Sequence, residues 1–128
     1  MVGARGFLVL LATMAVACGT PRPNTTGVYD AQLITEDEID ASGGSSAYDV
    51  IRKLRANFLS YRGETSFRRT SSPYPTVYVD GQAFGEISIL RTIPAMQIAT
   101  IRLYRAWEAT TKFGTGNMGG VIAISTRR

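Results

Sequence analysis

Histidine is absent from the 128 residues, and cysteine occurs once. The first absence removes the commonest general base, the commonest transition-metal ligand and every His-dependent triad. The second rules out an intrachain disulfide, so packing alone has to stabilise the fold. Charge is modest: 14 Lys+Arg stand against 10 Asp+Glu, a net of +4. No basic run with interleaved aromatics points to nucleic acid. Nor is there an apolar stretch of the roughly 20 residues that a membrane-spanning helix needs. The acids, from Asp30 through Glu64 to Glu108, are scattered and mostly suit caps or solvated faces, so catalysis is not expected.

Glycine, by contrast, is plentiful, and "GTGNMGG" (114–120) satisfies G-x-G-x-x-G. In a dinucleotide fingerprint such glycines follow a strand and open a helix whose amides hold the pyrophosphate. Here "VIAISTRR" follows, β-branched and apolar, which predicts a strand. That context argues against a nucleotide. Gly114, Gly116, Gly119 and Gly120 are expected instead to let the backbone turn sharply between a short helix and a buried strand.

Residues 1–18, "MVGARGFLVLLATMAVAC", place Arg5 ahead of eleven apolar or small residues, Phe7 to Ala17. This is the layout of a secretory signal peptide. A lone cysteine often means a buried or a reactive thiol, but Cys18 closes the apolar run directly and resembles the lipobox of bacterial lipoproteins. That resemblance implies a signal peptide over 1–17 and a lipidated Cys18; the alternative is an ordinary signal ending at Ala17. "GTPRPNTTG" (19–27), without a hydrophobic residue, is expected to be an extended tether. Gly19 after the cysteine favours, by resemblance to enterobacterial sorting, the outer membrane.

The remaining residues, 28–128, are enough for one domain with a single core. "GVYDAQLIT" (27–35) is a predicted first strand. Thr35 with Glu38 three residues on makes a capping box for a short helix. Ser46 with Asp49 predicts a second helix from about Ala47, with Ala47, Val50, Ile51, Leu54 and Phe58 on one face and Arg52, Lys53 and Arg55 on a solvated one. "TVYVDGQAF" (76–84) alternates and then carries Asp80-Gly81, a tight-hairpin dipeptide. A helical turn is expected around Ile87–Leu90, and Pro94 suits the first turn of another short helix. A strand is expected from about Thr100 to Tyr104, with Ile101 and Leu103 on one face. "AWEATTKF" is a helix candidate with Glu108 and Lys112 spaced i,i+4. The last strand, Val121–Thr126, is apolar on both sides of its pleat and so belongs near the centre of a covered sheet. The fold class is α+β, a small mixed sheet of three to four strands with short helices.

Together, "TVYVDGQ", "IPAMQIATIRLYR" and "EATTKFGTGNMGGVIAISTRR" resemble the plug domain of TonB-dependent outer-membrane receptors. The matching positions are Val79-Asp80-Gly81, Ile98, Ile101, Arg105, Ala109, Thr110, Phe113-Gly114 and Gly119-Gly120-Val121-Ile122. Upstream, "LITEDEIDASGGSSAYDVIRKLRANFLSYRG" resembles the family's opening. The resemblance implies a plug-like domain over 28–128. The receptors continue into a large barrel that is not present in these residues, and no TonB box follows the tether, so gating and energy coupling do not transfer.

Two functions are therefore expected: a non-enzymatic, outer-membrane-anchored module facing the periplasm, or an accessory of TonB-dependent uptake that contacts a separate barrel in trans. The implied partners are the membrane through the lipid anchor, an outer-membrane β-barrel or another envelope protein. No nucleic acid, nucleotide, metal or cofactor is expected. Residues 60–75, without periodicity, are either a mobile surface loop or a surface where Arg62, Arg68 and Arg69, with Tyr61, Phe67 and Tyr74, meet a partner or anionic lipid. Trp107 stands where the family resemblance implies a small residue. Its indole either fills a core gap or, with Arg105 or Arg68, makes a contact surface, both types being enriched at binding hot spots.

Overall fold

The computed structural model describes residues 29–60 and 72–128. The expectations for the signal peptide, Cys18, the tether, Arg62, Arg68 and Arg69 lie outside the described residues.

Asp30 sets the start of the fold. Its carboxylate accepts the Gln32 N–H at 2.9 Å, and its carbonyl accepts the Leu33 N–H at 3.1 Å. This local turn competes with ladder pairing, so the first strand, β1, shrinks to Leu33–Ile34 rather than running over 27–35. Helix α1 (Glu36–Ser42) begins with the expected capping box: Glu38 accepts the Thr35 N–H at 3.0 Å and Thr35 Oγ1 accepts the Glu38 N–H at 3.5 Å. Helix α2 (Ala47–Arg55) is capped by Ser46 and buries Ala47, Val50 and Ile51, while Phe58 follows in a 3-10 turn.

Arg55 does not lie on a solvated face as expected. Its Nε donates to the Ala31 carbonyl at 2.9 Å and its Nη1 to the Leu54 carbonyl at 3.0 Å. Its Nη2 lies 3.5 Å from Glu38. The α2 C-terminus ends against the segment that leads into β1, and the guanidinium bridges the two.

Strands β2 (Thr76–Val79) and β3 (Gln82–Gly85) form the hairpin foreseen from Asp80-Gly81. Both turn residues have positive φ, 48° and 85°, as a type I′ turn requires. After 3-10 turns at Ile87–Arg91 and Ala95–Gln97 come β4 (Ile98–Tyr104), helix α3 (Ala106–Phe113) and β5 (Val121–Thr126). β4 starts two residues earlier than expected, because an irregularity between Ile98 and Thr100 admits buried Ile98 to the pairing with β5.

Among the described residues the sheet has five strands, not three or four, in the order β1-β4-β5-β2-β3. The additional strand is β3, the short second arm of the Asp80-Gly81 hairpin. β2 and β5 are parallel; the other pairs are antiparallel. β5, apolar on both faces, is the middle strand. Registers Ile101–Ile124 and Leu103–Ile122 put four aliphatic side chains on one face, where they join Val77, Ile34 and residues of α1 and α2 in the main core.

The opposite face is covered more sparsely. α3 sets Phe113 4.5 Å from the Tyr78 ring and 5.3 Å from Tyr104, and buries Ala109. Val121 is fully buried, whereas Ala123 is only half-buried, since one short helix does not reach along the whole strand. The foreseen Glu108–Lys112 pairing is replaced. Glu108 accepts from the Arg105 N–H and from Gln32 Nε2, both at 3.0 Å, and Lys112 Nζ donates to the Tyr104 hydroxyl at 2.7 Å.

Candidate interaction surface at one end of the sheet

β4 ends and β2 and β5 begin at the same end of the sheet, since Val121 is paired with both Tyr104 and Thr76. Three connecting segments therefore converge there: 72–75, 105–107 and 117–120. The glycines exist for this convergence. A Cβ on Gly119 would overlap the Tyr74 carbonyl, and one on Gly120, at φ 95°, would sit 2.7 Å from the Tyr104 carbonyl oxygen. Gly120 also accepts the Thr76 N–H at 3.0 Å, which starts the parallel pairing. As the sequence context implied, a strand and not a helix follows the glycines. Asn117, buried, holds the preceding turn: its Nδ2 donates to the Gly114 carbonyl at 3.2 Å and its own carbonyl accepts the Gly120 N–H at 2.9 Å. A lone Asn among glycines gives little warning of this role in the sequence.

The same end carries much of the exposed apolar area. Trp107 is 69% exposed, Tyr74 46% and Met118 39%. The core-filling reading of Trp107 is overturned. α3 buries Ala109, and a residue two positions away on a helix points roughly 200° around the axis, towards solvent. Arg105, immediately before α3, is exposed beside it. Tyr29, 70% exposed, precedes the Asp30–Leu33 turn. The turn itself is held against β4 and α3 by the Leu103 N–H donating to the Gln32 carbonyl at 2.7 Å and by the Gln32–Glu108 bond. The Tyr29 ring lies 5.2 Å from the Arg55 guanidinium. Of the surface residues expected from sequence, Tyr74, Arg105 and Trp107 are thus brought to one end. Met118 is an addition that only the topology reveals.

Tyr74 also walls an open cleft of about 550 Å³ with Tyr48, Leu59 and Ile87, lined as well by the charged Glu86 and Arg91. Arg91 sits 4.4 Å over the Tyr48 ring, a cation–π contact. Among the described residues no group of three or more acids, histidines or cysteines could hold a metal ion, and no helix is long and apolar enough to cross a membrane. Two carboxylates are held below their ordinary range by structural hydrogen bonds: Asp49 mainly by the Ser45 hydroxyl, and Asp80 mainly by the Thr126 backbone N–H. Both serve the fold, at a helix start and at a turn, away from the converging segments. Comparison of the chain with family models, with curated proteins and with solved structures finds no match.

Proposed function

We propose that the protein is a non-enzymatic, lipid-anchored component of the bacterial outer membrane facing the periplasm, whose plug-like domain serves as an interaction or ligand-binding module. The observation that carries this reading is the gathering of exposed Trp107, Tyr74 and Met118, with Arg105, where three chain segments meet. Isolated exposed apolar residues are ordinary, but several at one place mark a contact site. The lipobox-like "AVAC" and the uncharged Gly19 support the anchoring part, and the "TVYVDGQ" and "KFGTGNMGGVIAIS" segments support the plug-like part.

Met96 provides the control for a test, being 75% exposed in the 3-10 turn that precedes β4, at the other end of the sheet. A photo-crosslinking residue placed at position 107 in living cells should capture an envelope component, and one at position 96 should not. Equal yields at both positions would refute the reading. Capture of a β-barrel protein at 107 would turn it into the accessory role in trans.

A further inference from the structure

We infer that the cleft beside Tyr74 binds a short peptide with free ends and apolar side chains, its carboxylate on Arg91 and its ammonium group on Glu86. This site is separate from the surface at Trp107 and does not depend on a lipid anchor. The cleft, at about 550 Å³, falls within the roughly 300–1,000 Å³ of small-molecule sites. Tyr48 comes from the first turn of α2, Leu59 from the end of the following 3-10 turn, and Tyr74 from the approach to β2. Glu86, Ile87 and Arg91 come from the 3-10 turn at Ile87–Arg91 and its cap. These walls are fixed to one another. The Ala47 N–H donates to the Ile93 carbonyl at 2.9 Å and the Ala95 N–H to the Ser45 carbonyl at 3.0 Å, which clamps the start of α2 against the segment after that turn. Tyr48, Leu59 and Ile87 are half-buried against the main core, so the apolar part of the lining is already formed.

The charges of the cleft are left to an occupant. Arg52, Arg55, Arg102 and Arg127 each reach a carboxylate. Arg91 does not: its guanidinium lies 4.4 Å over the Tyr48 ring, and among the described residues it makes no ion pair. Arg52, 6.0 Å from the same ring, is by contrast paired with Asp49 at 3.5 Å. Glu86 also makes no ion pair among the described residues, although it lines the same cleft as Arg91. The two stand at opposite ends of the 3-10 turn. At about 2 Å of rise per residue, their backbones are about 10 Å apart. That is the length of about three extended residues at 3.3–3.6 Å each. A guanidinium takes a carboxylate in fork geometry, and a carboxylate takes an ammonium group as a charge-assisted partner. Between the two ends, apolar side chains would cover Leu59, Ile87 and the tyrosine rings. A zwitterion with an apolar body satisfies all three demands, whereas a ligand of one sign leaves Arg91 or Glu86 unmatched.

The probe is leucyl-alanyl-phenylalanine, in equilibrium dialysis against the full chain in detergent, with protein-free micelles as the blank. Binding should be saturable. Amidating the C-terminus of the peptide, or acetylating its N-terminus, should weaken binding about tenfold or more, as loss of a charge-assisted hydrogen bond does. Arg91→Gln should weaken binding of the free peptide to the same extent but leave binding of the amidated peptide as it is in the parent. Glu86→Gln should behave in the same way towards the acetylated peptide. Both side chains are exposed, so each variant should keep the thermal midpoint of the parent. No saturable uptake above the micelle blank overturns the inference, as does equal binding of the free, amidated and acetylated peptides. Free leucine bound as tightly as the tripeptide overturns the peptide in favour of a single amino acid. None of these outcomes touches the reading of the Trp107 surface, which crosslinking at position 107 tests separately.

Discussion

Thr126, the last residue of β5, closes onto Asp80 in the β2–β3 turn. Its N–H donates to Asp80 Oδ1 at 3.0 Å and its hydroxyl to Oδ2 at 2.7 Å, across 46 residues of sequence. The hairpin turn is thus fastened to the central strand by side chain as well as by the Asp80 N–H, which donates to the Ile124 carbonyl at 2.9 Å. The same carboxylate sits on a residue at φ 48°, a conformation that Asp and Asn tolerate better than most.

These bonds give the fold a pH dependence of known sign. The Asp80 pKa is lowered from 3.8 in the folded state, chiefly by the Thr126 N–H. Its contribution is therefore present above the unfolded value of about 3.9 and is lost as pH falls through the folded value. Asp80→Asn keeps the turn conformation but removes the charge. The variant should have a lower urea midpoint than the parent at neutral pH, and the gap should close on acidification. A gap unchanged at about pH 2 would mean that turn geometry, not ionisation, is responsible.

Ile122 is fully buried in the middle strand, opposite Leu103. Ile122→Ala should cost on the order of 2–5 kcal/mol in urea unfolding, the lost transfer energy plus a residual cavity. A loss within titration error would mean that β5 is not the centre of the sheet.

Gly119→Ala tests the close approach of the two chain segments. The added methyl meets the Tyr74 backbone, not the flexible end of a side chain. One segment has to shift, at a cost of roughly 1–3 kcal/mol or more. A thermal midpoint equal to the parent's would show that the segments are further apart than described.

Trp107→Ala should leave stability within roughly 0.5 kcal/mol, as surface substitutions usually do. A large loss of stability would return the indole to the core.

Cys18→Ser should abolish labelling with palmitate and release the chain from the membrane fraction. Unchanged labelling in this variant removes the lipoprotein reading.

Local chemistry was legible in the sequence. Thr35 with Glu38, Ser46 before Ala47, and Asp80-Gly81 each satisfy their own backbone groups within a few residues, and each stands where the pattern put it. The two-sided apolar pattern of Val121–Ile124 announced a central strand, since only a covered strand tolerates it. What stayed hidden depends on distant partners. β1 was overestimated because the Asp30 turn breaks the pairing before it begins. Arg55 looked solvated because its partners, Ala31 and Glu38, are far away in sequence. The interaction surface was partly visible: Tyr74, Arg105 and Trp107 stood out by type, but Met118 joins them only through the connection that brings 117–120 to one end.

The placement of β5 bears on how the domain acquires order. It is the last of the five strands along the chain and the middle one in space. Until it is inserted, β1–β4 and β2–β3 are two separate two-stranded ribbons with no shared ladder, and such ribbons are marginal alone in water. Joining them requires closing long loops before any pairing rewards the closure. Amide protection in the edge hairpin and in β4 should therefore rise in a single slow kinetic phase, set by the docking of Val121–Thr126 between them.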